Sequence, residues 1–179
     1  ALIINVAGKQ RMLTQNISKN VFYLYYIKNG VLTELDNSVI EFVYNLNSLK
    51  DGNNLIGIEK APTDLIAKQL AKVEIMWNTF YQNIENFKKL NNKEDALSQN
   101  ELKKTIEAIY NTNTTLLNEV DNLVSMYTVY SEEKMHYLKY AQYFFALIII
   151  ILIIYSFSQL KAMEENEKRF LEESKKVIE

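Results

Sequence analysis

Apolar residues recur every three or four positions through most of this chain, and in one stretch the polar residues between them disappear. Residues 140–160 (YAQYFFALIIIILIIYSFSQL) carry no charge over the 21 positions between Lys139 and Lys161. At about 1.5 Å of rise per residue, a helix of that length spans roughly 31 Å, which matches the hydrocarbon core of a bilayer. Tyr140 and Tyr143 at one end and Tyr155 near the other stand where an aromatic belt would place them. The alternative is a buried helix of a soluble protein. Such helices keep a polar stripe, and Ala146 to Ile154 has none. The pattern therefore predicts a domain over 1–139, a transmembrane helix over 140–160 and a juxtamembrane helix over 161–179.

Upstream of the span the periodicity marks four helices. The first runs from the N-terminus to Asn29-Gly30, a helix stop. The second covers Val31 to Lys50, with Leu35, Val39, Phe42, Leu46 and Leu49 on one stripe. Asp51-Gly52-Asn53-Asn54 ends it, and a loop continues to Pro62. Thr63 is the expected N-cap of the third helix, whose stripe is Ile66, Leu70, Val73, Trp77, Phe80, Ile84 and Phe87. Asn91-Asn92 breaks it. The fourth starts near Ser98, which has capping-box spacing to Glu101. It runs through Leu102, Ile106, Ile109, Leu116, Val120, Leu123, Tyr127 and Tyr130 into the span. Short connections between four helices imply an all-α, up-down-up-down four-helix bundle, with Trp77 in its core. Ala1-Leu2-Ile3-Ile4 reads as the end of another apolar segment, and two spans around the bundle would be a receptor layout. Past the span, Leu160, Met163, Phe170 and Val177 keep a heptad seam interrupted by Glu167 and Ser174. A short coiled-coil-like segment and a solvated helix fit that pattern equally well.

Composition removes several function classes. The net charge is -2, so no broad positive field draws nucleic acid. Cysteine is absent, which excludes disulfides, thiol catalysis and thiolate metal sites. A single histidine, His136 beside the span, and no cluster of carboxylates leave nothing that resembles an active site. The expectation is no catalysis, no cofactor and no metal.

The first helix is the most informative segment. At about 100° per residue, Leu13, Ile17, Val21 and Leu24 share one face and form a core stripe. Roughly opposite lie Ile4, Gly8, Arg11, Gln15, Ser18, Phe22 and Tyr25, a face too apolar to be purely solvated. Gly8 permits close backbone approach there, and a mid-helix glycine costs about 1 kcal/mol relative to alanine. Burial on two sides, by the bundle and by a second copy of the same helix, accounts for both faces. Across a two-fold axis Arg11 would meet its counterpart, and an anion between two guanidinium groups would turn repulsion into attraction. The planar, paired donors of guanidinium suit a small planar oxyanion. Lys9 lies about 200° round the helix from Arg11, away from that site. The plainer alternative is that Arg11 forms an ordinary surface ion pair.

These residues also carry a family resemblance. Asn5-x-Ala7-Gly8-x-Gln10-Arg11-Met12-Leu13-Thr14-Gln15 resembles the signature of the PilJ-type domain, the N-terminal domain of type IV pili methyl-accepting chemotaxis transducers. It is similar, too, to the P-box of bacterial nitrate/nitrite sensor kinases, in which Asn-x-Ala-Gly-x-x-Arg-Met recurs. Ala61-Pro62 followed by Leu70, Val73, Trp77 and Phe80 looks like the third helix of such domains, and Leu116-Leu117 through Val124 and Tyr127 looks like the fourth. The resemblance extends over about residues 3–135.

The resemblance implies a ligand-binding sensor and signal-transmission module of a bacterial inner-membrane receptor, with the sensor domain in the periplasm and a chemotaxis or two-component output. It implies nitrate, or nitrite, held between two subunits of a homodimer. Carried over residue by residue, Arg11 would be the principal ligand, Gly8 would bring the helix backbone close, and Asn5 and Gln15 would support. Many members have a basic residue where this chain has Asn16, so the anion preference is open. The rival is a periplasmic dimerisation or protein-interaction module with no small-molecule ligand.

Overall fold

The computed structural model describes residues 2–27 and 30–178, without the side chains of 172 and 175–178. Among them are four α-helices and one 3-10 turn: α1 (Leu2–Tyr26), α2 (Thr33–Asp51), the turn Asn54–Ile56, α3 (Asp64–Leu90) and α4 (Ala96–Ile178). The chain divides into two units, Ala1–Ser131 and Glu132–Glu179.

The first unit is the four-helix bundle that the stripes anticipate. Leu13, Ile17, Val21 and Leu24 of α1 are buried, as are Leu35, Val39, Phe42, Leu46 and Leu49 of α2. The α3 stripe from Ile66 to Phe87 is buried throughout, and on α4 so are Leu102, Ile109, Leu116, Val120, Leu123 and Tyr127. Ile106 and Tyr130 pack against this core from its margin. Trp77 is a core residue, its indole stacked on Phe42 with ring centroids 3.9 Å apart and planes 18° from parallel. Small or polar side chains are buried on both α1 and α2, among them Ala7, Thr14 and Ser18 on the first and Ser38, Asn45 and Ser48 on the second. That choice of residues lets the two backbones run close together.

The helix ends follow local chemistry. Asn29, half of the expected stop after α1, lies outside the described residues. Its neighbour Gly30 sits where a Cβ would come within 2.6 Å of Leu24 Cδ2, so the turn accepts no larger residue without repacking. α2 starts at Thr33 rather than Val31, with Glu34 and Asp36 in the first turn, where they complement the partial positive charge of the helix N-terminus. Gly52, at φ 84°, closes it in a conformation that favours glycine. Thr63 caps α3 as expected, its Oγ1 accepting from the Ile66 N–H at 3.2 Å. The cap of α4 differs from the expectation. Asp95, not Ser98, serves, accepting from the Ser98 N–H at 2.8 Å. Hydrogen bonds from Ser98 hold the Asp95 carboxyl below its usual range. A carboxylate is the better acceptor next to a helix N-terminus, so the helix begins earlier than the Ser98 spacing implied.

In the second unit α4 continues through the apolar stretch with its side chains turned outward on every side, and it alone is long and apolar enough to cross a membrane among the described helices. Leu160, Met163 and Phe170 of the heptad seam are exposed in the single chain, and Lys168 pairs with Glu164 one turn away. Val177 falls outside the described side chains.

Trp77 is the sole tryptophan, so its emission reports the bundle alone. Phe42→Ala removes the ring stacked on it and leaves a cavity, and urea unfolding followed by that emission should show a loss of about 3–5 kcal/mol. The Tyr127 hydroxyl reaches only a distant acceptor, the Leu49 carbonyl at 3.4 Å. Burial pushes its pKa up to about 12. The unfolded chain gives up that proton near pH 10, so this residue's contribution is complete below pH 10 and is lost as the pH rises toward 12. Tyr127→Phe should flatten the decline in stability over that window, measured as the urea midpoint against pH.

Candidate functional site

The turn of α1 that carries Arg11 is fixed by the residue before it. Gln10 is fully buried, and its Nε2 donates to the Phe42 carbonyl of α2 at 3.0 Å. Thr14 is also buried, its Oγ1 donating back to the Arg11 carbonyl at 2.7 Å. Lys9 pairs with Glu41 of α2. This segment is therefore held against α2 by one buried amide and one exposed ion pair. Arg11 itself points the other way round the helix. Its guanidinium Nε lies 3.0 Å from Oδ1 of Asp121 on α4, and the arginine side chain remains 62% exposed.

The four expected ligand residues share one region but differ in setting. Asn5 and Gln15 are exposed, and Gly8 is half-buried. A Cβ built on Gly8 would meet nothing within 4 Å. With Met12, half exposed, they form an open strip at three- and four-residue spacing that continues through Lys19 to Tyr23. Arg11 stands on the edge of this strip nearest α4. The close approach expected at Gly8 is not made by any element of the same chain among the described residues.

The second face of α1 needs a correction. Ser18 is buried, Phe22 and Tyr25 are half-buried, and Phe22 meets Tyr110 of α4 edge-on at 6.5 Å. Tyr25 and Ile4 pack against the core. Half of that face is thus covered by the chain's own bundle. The cause is the small and polar group Ala7, Gln10, Thr14 and Ser18, which is buried alongside the leucine and isoleucine stripe. It swings the buried direction of the helix round, and the free direction becomes the line from Asn5 to Tyr23.

Two residues of this site were missed by the sequence reading. Gln10 was detectable, since it lies one turn before Leu13 on the buried side. Asp121 was not, because nothing local in α4 ties it to a residue 110 positions earlier. Near it, Glu119 accepts from Lys72 Nζ at 2.7 Å and from Gln69 Nε2 at 2.9 Å, both on α3. The Lys72 ammonium, then Gln69, hold its carboxyl below the usual range. A cleft of about 480 Å³ opens at the α1–α2 turn, lined by Lys19, Tyr23, Val31 and Glu34 among others. Arg11 does not line it. Among the described residues no group of three His, Asp or Glu gathers as a metal site would need.

A helical bundle whose last helix continues into a stretch long and apolar enough to cross a membrane has the layout of a membrane receptor's sensor module. The family model of the N-terminal domain of type IV pili methyl-accepting chemotaxis transducers matches residues 1–109, well over half of the chain. The chain belongs to that family. Among solved structures it is similar to the ligand-binding domain of the P. aeruginosa nitrate receptor McpN, with a TM-score of 0.58 and 23% identity over 72% of this chain and 94% of that one. That likeness shows the shared fold. No curated protein matches the sequence.

Both members of the Arg11–Asp121 pair are substantially exposed, so solvent screens the attraction. A double-mutant cycle with Arg11→Ala and Asp121→Ala, read by urea unfolding, should give a coupling of at most about 1 kcal/mol.

Proposed function

We propose that this chain is a homodimeric sensor of nitrate or a related small planar oxyanion, bound where two copies of α1 meet. The observation that carries the reading is the uncovered strip on α1, with Arg11 at its edge and open space above Gly8. Two such strips related by a two-fold axis would bring two guanidinium groups toward one anion, each offering paired, coplanar donors. Asn5 and Gln15, both exposed next to that space, would supply further polar contacts. The solved structure that this chain resembles is the ligand-binding domain of a nitrate receptor, which agrees with this choice of anion.

In this reading residues 1–139 lie in the periplasm, 140–160 cross the inner membrane, and 161–179 begin the cytoplasmic side. Capture of the anion draws the two α1 helices together, and α4 carries the change onward because it is one uninterrupted helix from Ala96 to Ile178. An anion biases signalling only through its different affinity for the two states, and the separation of the two Arg11 side chains provides that difference. Within these 179 residues the proposed activity is binding and transmission, and an output domain beyond Glu179 could be enzymatic, such as a histidine kinase.

One observation favours the rival. The Asp121 carboxylate already neutralises Arg11, as a structural ion pair in a ligand-free interaction module would. Calorimetric titration of nitrate into the detergent-solubilised 179-residue chain separates the two. The sensor reading expects saturable heat near one ion per two chains, lost in Arg11→Ala. Silence toward both nitrate and nitrite would sink it in favour of a protein partner.

A further inference from the structure

The two halves of the bundle are fastened differently. Within the α1–α2 pair a buried amide grips a backbone carbonyl, Gln10 to Phe42. Within the α3–α4 pair Glu119 is held twice over, by Lys72 and Gln69, and is only 14% exposed. Between α1 and α4, at the level of the candidate site, the polar link is Arg11 to Asp121, and it is the open one, at 62% and 39% exposure. The same arginine is the group that the proposed anion would need. A carboxylate 3.0 Å from Nε occupies part of its donor edge and lowers the positive potential that any second anion would feel.

We propose that Asp121 is an internal competitor for Arg11, so that the capture of an anion at the same time breaks the Arg11–Asp121 link between α1 and α4. The inference rests on Arg11 being the anion ligand. A carboxylate and a nitrate ion present the same recognition chemistry to guanidinium, namely two coplanar oxygens. Asp121 therefore offers Arg11, from within the chain, the contact that the anion would make. Its weakness is a requirement of the device, because a dilute ion could not displace a desolvated, fully paired carboxylate. Glu119, two residues away, stays with α3 when Asp121 lets go. The apolar packing between α1 and α4, Phe22 against Tyr110 included, also stays in place, so the change is confined to the polar link at the level of Arg11. Asp121 thereby sets both how tightly the anion binds and how that binding reaches the helix that leads toward the membrane.

The test is nitrate calorimetry on the solubilised full chain, comparing the parent protein, Arg11→Ala, Asp121→Asn and Glu74→Gln. The last makes the same change in net charge at the Lys50–Glu74 pair between α2 and α3. Asp121→Asn should tighten nitrate binding by about threefold to fivefold, the loss of one exposed charge pair, while Glu74→Gln leaves it unchanged. A gain in affinity is not something damage to the fold produces. Nitrate binding by Asp121→Asn with none detectable in the parent also upholds the proposal. Unchanged or weaker binding in Asp121→Asn, with the parent binding and Arg11→Ala silent, overturns the competitor and leaves the Arg11 site standing. Silence in every variant removes both.

Discussion

Everything at the candidate site depends on how α1 is seated against α2, and that seating is set by a buried side-chain amide. Gln10 reaches across to the Phe42 carbonyl, and Phe42 in turn lies flat against Trp77. Gln10 Oε1 is buried without a partner, and a sliding of α1 by even one turn would strand Nε2 as well, where an unsatisfied polar group costs about 1–3 kcal/mol. The register of α1 is therefore coupled directly to the aromatic centre of the bundle. Arg11, one residue on, inherits a fixed height and direction, and the strip from Asn5 to Tyr23 is what this seating leaves uncovered.

Much of the architecture was legible in the sequence because helices announce themselves by period. The stripes of α2 and α3 appear in the core residue for residue, and Trp77 lies among them. Thr63 was readable as a cap because its hydroxyl has a specific acceptor task at a helix start. Asp95 escaped notice, since two acceptors stood within three residues of each other and spacing alone favoured the serine. The direction of the free face of α1 was misjudged for a related reason. Alanine, threonine and serine are weak hydrophobic signals, yet they are buried wherever two helices approach closely, and here they outvote the larger side chains in deciding which way the helix faces.

Of the proposed site, the α1 residues could be grouped from the sequence and the α4 residue could not. Arg11, Gly8, Asn5 and Gln15 lie within eleven residues, so helical geometry and a family signature could group them. Asp121 comes from another helix, and only the fold brings it within 3.0 Å of Arg11. Local pattern can nominate the residues that meet a ligand, but the residues that oppose it arrive through topology. The fold shared with the solved ligand-binding domain and the family match over residues 1–109 support the domain and its class.

Gly8 carries a further consequence. No atom among its described surroundings would object to a methyl group, so an alanine would fit and would make α1 a better helix by about 1 kcal/mol. Considered as an isolated polypeptide, the protein leaves an easy gain in robustness untaken. In the proposed dimer that bare patch of helix is where the backbones of two α1 helices would come closest, and a methyl group at Gly8 would hold them apart while costing the single chain nothing.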